Sequence, residues 1–232
     1  KYQKKLTNMA KVIKAMKEEN GVWHTLLGVS EIENRLVLED LVMDPQIAEA
    51  NYQIIHYDGP DRRGVDVALL YKPEHFKYLD SESIPFTFEG STIDFIMDKE
   101  QQDYFKTRDI LMVHGTIDGE HFAIYVAHLP SRAGGKKGGN QLQDKYPGIK
   151  IICMGDMNDN PTDPSMAQYL HGREDRAEVT DMDFFSPFTV MLKAGFGSLA
   201  YQGVWSIYDL LLVNNALANP ADGTFGLLQL HK

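Results

Sequence analysis

A single cysteine in 232 residues, Cys153, excludes a disulfide framework. It lies inside the apolar run Ile151-Ile-Cys-Met154, where a reactive thiol is not expected either. No hydrophobic stretch approaches the length of a membrane span, which excludes a transmembrane role, and no repeat or low-complexity tract interrupts the chain. Basic charge is scarce, with 23 Lys and Arg against 33 Asp and Glu and a formal net charge of −10. Unaided affinity for phosphate backbones comes from Lys and Arg, so this balance argues against a passive nucleic-acid binder; a metal-loaded acidic cleft would offset it only locally. The remaining composition suits a soluble enzyme long enough to bury a sizeable core, in one domain as readily as two. No secretory leader is legible, but the chain opens directly in a helical pattern, which leaves room for an N-terminal segment ahead of these residues. The compartment therefore stays open among exported, periplasmic and cytoplasmic.

What is present concentrates at the ends of apolar runs. Residues 150–154 are short, apolar and bounded by Gly148 and Gly155, as expected of a strand covered on both faces. The chain then delivers Asp156 and Asn158, two positions apart, which extended backbone would place on one side. A carboxylate and an amide there could hold a hard cation, or a water and a phosphate oxygen. The plainer reading is a polar turn, Asn158-Asp-Asn-Pro161, that ends the strand. Two further runs end similarly: Ile124-Tyr-Val-Ala-His128 and Leu26-Leu-Gly-Val-Ser-Glu31.

Leu6, Met9, Ala10, Ile13 and Met16 recur at three and four residues before Gly21, which predicts an amphipathic helix. A strand over 23–29 and a second helix over 36–42 follow. Residues 52–57 and 65–71, joined by the polar turn 58–64, predict a hairpin, and so do 110–117 and 121–129 around Asp118-Gly119. A helix over 164–170 behind Asp163 as N-cap, a mobile glycine- and lysine-rich loop over 133–141 and strands within 203–213 complete the reading. Helices beside mainly antiparallel strands predict an α+β architecture, two sheets packed face to face with helices outside.

The ordered segments Gly28-Val-Ser-Glu-Ile-Glu-Asn34, Val67-Ala-Leu-Leu-Tyr71, Ala127-His-Leu-Pro-Ser-Arg132, Met154-Gly-Asp-Met-Asn-Asp-Asn-Pro161 and Ser206-Ile-Tyr-Asp-Leu-Leu-Leu-Val213 resemble the motifs of the endonuclease/exonuclease/phosphatase superfamily. That superfamily includes pancreatic-type deoxyribonuclease, abasic-site endonucleases, sphingomyelinases and inositol-polyphosphate phosphatases. The resemblance covers nearly the whole chain. It implies a single four-layered α/β sandwich over 1–232 and Mg²⁺-dependent, or Mn²⁺-dependent, hydrolysis of phosphate esters. It further implies that Glu31 is the metal ligand, Asp156 orients or deprotonates the attacking water, Asn158 holds a phosphate oxygen and His128 contacts the scissile phosphate. Asp209 matches an aspartate that orients a second histidine. The partner expected is a phosphate-ester substrate, with nucleic acid bound weakly and without sequence preference; oligomeric state is not legible.

Several of these positions carry alternatives. Glu33 competes with Glu31 as ligand, and a solvated acidic turn explains both. His128 is also compatible with a satisfied histidine capping a strand, and Asp209, set in the apolar run 208–213, with a purely structural hydrogen bond. Arg108 and Arg132 are candidates for phosphate contact, and Asp66 for supporting His128. The chain also departs from the resemblance: no asparagine-bearing strand precedes the first helix, and no Ser-Asp-His closes the sequence, where His231 is a poor substitute. The expectation is that the first and last strands lie outside these residues. The other reading is a non-catalytic module that keeps the phosphate pocket without its terminal catalytic groups.

Overall fold

The computed structural model describes residues 1–85, 107–129, 146–201 and 203–227. Helix α1 (Tyr2–Asn20) buries Leu6, Ala10 and Ile13, the stripe that the spacing predicts. It stops where Gly21 adopts φ 77° and returns its N–H to the Lys17 carbonyl at 2.8 Å. Strand β1 (Leu26–Ile32) leads into α2 (Arg35–Val42), whose Asn34 side chain accepts the Val37 N–H at 3.1 Å. Next come β2 (Gln53–His56), β3 (Asp66–Tyr71), β4 (Lys77–Ile84), β5 (Ile110–Ile117), β6 (Glu120–His128) and β7 (Lys150–Asp156). After a π-helical turn at Ser165–Tyr169 the chain forms β8 (Gly172–Arg173), β9 (Phe184–Phe185) and α3 (Phe188–Lys193). It closes through β10 (Leu199–Tyr201), β11 (Val204–Ser206), β12 (Asp209–Asn214) and α4 (Asn215–Ala218).

Two sheets carry the architecture. The smaller is wholly antiparallel in the order β1-β3-β2; the larger is mixed, in the order β4-β5-β6-β7-β12-β9-β8, with β6 and β7 parallel. Alternation along β3 explains the layering. Val67 and Leu69 point into the core shared with Leu111, Val113, Ile124 and Val126 of the larger sheet. Ala68 and Leu70 point the other way, onto Leu6, Ala10, Leu38 and Leu41 of the two N-terminal helices. The far face of the larger sheet is covered by Met166 of the π-turn and by Phe188 and Leu192 of α3, against Leu210 and Leu212. The result is the expected α+β sandwich, helices outside two packed sheets.

Local departures from the sequence reading have physical causes. Strand β1 begins three residues later than expected, because Trp23 is held by an edge-to-face contact with Tyr52, ring centroids 6.5 Å apart, rather than by ladder bonds. Strand β4 has no legible alternation because it is an edge strand with mostly exposed side chains. The helix expected behind Asp163 is a single π-turn, and the Asp163 carboxylate accepts the Asn160 N–H at 2.8 Å instead of capping the turn. Strand β7 is half-buried over most of its length rather than closed on both faces. The loop expected over 133–141 lies outside the described residues.

Candidate active site

Two glycines bring the acidic strand ends together. Gly28 of β1 faces Met154 of β7, where a Cβ would meet the Met154 sulfur at 2.7 Å, so glycine lets the two sheets close at that point. Gly155 has φ 135°, and a Cβ there would lie 1.9 Å from the Ala127 carbonyl oxygen. Only glycine allows β7 to stay in parallel register with β6 through Ala127↔Gly155 and His128↔Asp156. Strand β12 runs antiparallel on the other side of β7 and sets Asp209 directly opposite Asp156.

Glu31 reaches this point by a β-bulge. Val29 pairs with Ala68 and Ile32 with Asp66, so Ser30 and Glu31 together oppose the single residue Val67. Glu31 takes φ 59°, a conformation that costs a non-glycine residue about 1–3 kcal/mol and recurs at functional sites. The bulge aims its carboxylate across the sandwich: Oε1 lies 3.6 Å from His128 Nδ1 and 3.3 Å from Arg63 Nη2. Glu33, the competing acid, is exposed and has no recorded contact with His128 or Asp156 among the described residues.

His128 is 4 % exposed and stands between two carboxylates, with Nε2 3.5 Å from Asp156 Oδ2. Its Nδ1 makes no hydrogen bond. Burial lowers its pKa below the ordinary 6.5 and the Arg108 guanidinium lowers it further, while Asp156 and Glu31 oppose both. Asp156 Oδ1 accepts the Asn158 N–H at 3.0 Å. Asn158 is not on extended backbone as the spacing suggested; with φ 52° it folds back at the end of β7. Its amide donates to the Leu129 carbonyl at 2.8 Å, leaving a second N–H and its own oxygen for a ligand.

Arg108 corrects one expectation. Its guanidinium is buried and tied by all three nitrogens: Nε donates to the His128 carbonyl at 2.9 Å, Nη2 to the Leu129 carbonyl at 3.1 Å and Nη1 to Asp61 at 3.2 Å. It therefore fixes the histidine from behind rather than reaching a phosphate. Asp66 is likewise turned elsewhere, with Oδ1 on the Gly59 N–H and Oδ2 3.5 Å from His56 Nε2. Sequence reasoning passed over Asp61 and Arg63, which it placed in an ordinary polar turn; the charge density of Asp61-Arg-Arg63 was the available signal. Arg132 and His231 lie outside the described residues.

The donor set suits a hard divalent cation. Directly opposed carboxylates repel one another, and Asp209 has no recorded hydrogen bond or ion pair among the described residues. Glu31 is half exposed and neutralised by an equally exposed guanidinium, which can leave when another cation arrives. Glu31 offers the carboxylate oxygens that such an ion prefers, and Asp156 lies across the His128 ring from it.

The fold and these motifs together define a sandwich with acid, amide and imidazole side chains at one end of its two sheets. The profile of the endonuclease/exonuclease/phosphatase family matches residues 1–230, and the chain belongs to that family. Among solved structures, the human Nocturnin catalytic domain with bound sulfate is 17% identical, with 90% of this chain and 76% of that one covered at a TM-score of 0.54. ANGEL2, described as a 2',3'-cyclic phosphatase, is 12% identical over 90% of this chain and 72% of its own, at 0.58. Danio rerio TDP2, in complex with a single-strand DNA product, is 14% identical over 90% and 77%, at 0.51. At these identities the likeness is one of fold. A comparison with curated proteins gives no match.

Proposed function

We propose that the chain is a divalent-metal-dependent hydrolase of phosphate esters, with water attacking a phosphoryl centre. The observation that carries this reading is the convergence of Glu31, His128, Asp156 and Asp209 from the ends of four strands. Family membership supports it, as do the printed descriptions of the structural neighbours, a phosphatase and a protein holding a DNA product. Glu31 would hold Mg²⁺ or Mn²⁺, and that ion would supply electrostatic stabilisation of charge growing on the phosphoryl oxygens.

Each side chain then has a task set by its surroundings. His128, held neutral by burial, donates one N–H to a phosphoryl oxygen without bringing a full positive charge. The Asp156 oxygen facing His128 orients the attacking water and accepts its proton. The free N–H of Asn158 binds a second phosphoryl oxygen. Arg108 positions His128 through the backbone and touches no substrate. Asp209, beside Asp156, is the group that would orient a further proton donor; no histidine contacts it among the described residues, which favours a non-catalytic module.

Hydrolysis of bis-p-nitrophenyl phosphate tests the proposal. Activity should require Mg²⁺ or Mn²⁺, vanish with EDTA and fall at least about 100-fold in Asp156→Asn while the melting temperature stays near that of the parent. Full activity of Asp156→Asn would refute it. With 33 acids against 23 bases, plasmid nicking should be slower than small-ester hydrolysis and only weakly salt dependent.

A further inference from the structure

A second group of ligand-type side chains stands behind the acidic strand ends and is used by no step above. His56 closes β2, Asp66 opens β3, and Asp58 lies on the loop between them. The donor atoms of the three residues lie within 4.8 Å of one another. His56 and Asp66 are firmly placed, with side chains 2 % and 9 % exposed, whereas Asp58 is 87 % exposed. The buried His56 Nε2 has no hydrogen-bond partner and points at Asp66 Oδ2 from 3.5 Å. A buried polar nitrogen left unbonded is costly, of the order of 1–3 kcal/mol, and calls for an occupant.

From this geometry we infer a second cation site, formed by His56, Asp58 and Asp66, that takes a divalent transition ion such as Zn²⁺. Two ligands each about 2.1 Å from a common tetrahedral ion stand about 3.4 Å apart, which the His56–Asp66 pair meets without moving. Asp58, whose Oδ1 now lies 4.0 Å from the ring's other nitrogen, Nδ1, is exposed enough to swing into the third position, and water completes the shell. The imidazole nitrogen sets the selectivity. It suits Zn²⁺ and is a poor ligand for Mg²⁺, which favours oxygen donors.

The position of the loop suggests what the ion does. Residues 57–65 also carry Asp61, which holds Arg108, and Arg63, which holds Glu31. A cation tying Asp58 to β2 and β3 anchors the loop at its start and keeps both contacts in place.

Calorimetric titration of the full chain with ZnCl₂, in a Glu31→Gln/Asp156→Asn background that removes both carboxylates of the proposed active site facing His128, isolates this site. One tight equivalent is expected. Adding Asp58→Asn, an exposed change with little effect on folding, should weaken it about tenfold or more, and His56→Gln about 100-fold. Zn²⁺ should also slow trypsin cleavage after the exposed Arg62 and Arg63 in the background protein but not in its Asp58→Asn derivative. Absence of a tight equivalent, or one that Asp58→Asn leaves unchanged, overturns the site without bearing on phosphoester hydrolysis.

Discussion

Replacing Arg108 with methionine tests how the buried scaffold sets the geometry of the proposed active site. The guanidinium and the Asp61 carboxylate are a buried pair, 7 % and 6 % exposed, with Nη1 and Oδ2 3.2 Å apart. Removing one partner of a buried pair costs about 3–5 kcal/mol, and the lower end applies here because Asp61 keeps the Arg63 N–H at 2.8 Å and Arg63 Nε at 3.5 Å. Two hydrogen bonds to the His128 and Leu129 carbonyls go with it, each worth about 1 kcal/mol net, although Leu129 keeps its bond from Asn158. Methionine retains the apolar stem, which offsets part of this. The expected loss is about 4 kcal/mol, a large share of the 5–15 kcal/mol that stabilises a typical domain. Urea unfolding at 25 °C measures it, and the double variant Asp61→Leu/Arg108→Met, which removes both charges, should recover about 2 kcal/mol or more. Turnover measured where Arg108→Met is still folded should also fall, because His128 loses its backbone anchor. A cost under about 1 kcal/mol with unchanged turnover would refute the reasoning.

Other expectations follow from the same structure. Gly155→Ala forces a Cβ to 1.9 Å from the Ala127 oxygen at φ 135°, so a loss of about 3 kcal/mol or more in urea unfolding is expected; a mild effect would mean that the β6–β7 register can slip. Because the folded state holds the His128 pKa below 6.5, the unfolded chain binds the proton first as pH falls. Stability should therefore decline as pH drops below 6.5, and His128→Gln should flatten that limb of the melting profile. Although Cys153 is not fully closed off, burial pushes its thiol up to about 12, so Ellman's reagent should label it only after denaturant is added. Labelling of native protein at the unfolded rate would contradict that placement.

The sequence by itself determined the elements whose patterns are local. The stripe from Leu6 to Ile13, the Gly21 stop and the Asp118-Gly119 turn, with φ 49° and 85°, depend on neighbours a few residues away, and all three stand where the sequence put them. It also pointed to Glu31, His128, Asp156 and Asn158, because polar side chains ending apolar runs are visible without coordinates, whereas Asp209 came only from the resemblance to the family's motifs. Tertiary structure decided how they meet. The bulge that aims Glu31 arises from pairing with β3, and the opposition of Asp209 to Asp156 arises from a ladder between segments more than fifty residues apart. The fate of Arg108 was undecidable from sequence for the same reason, since an arginine on the surface and one bonded to two carbonyls and an aspartate read alike until the chain folds. Burial and long-range pairing are properties of the packed chain, and they convert a list of candidate side chains into a site.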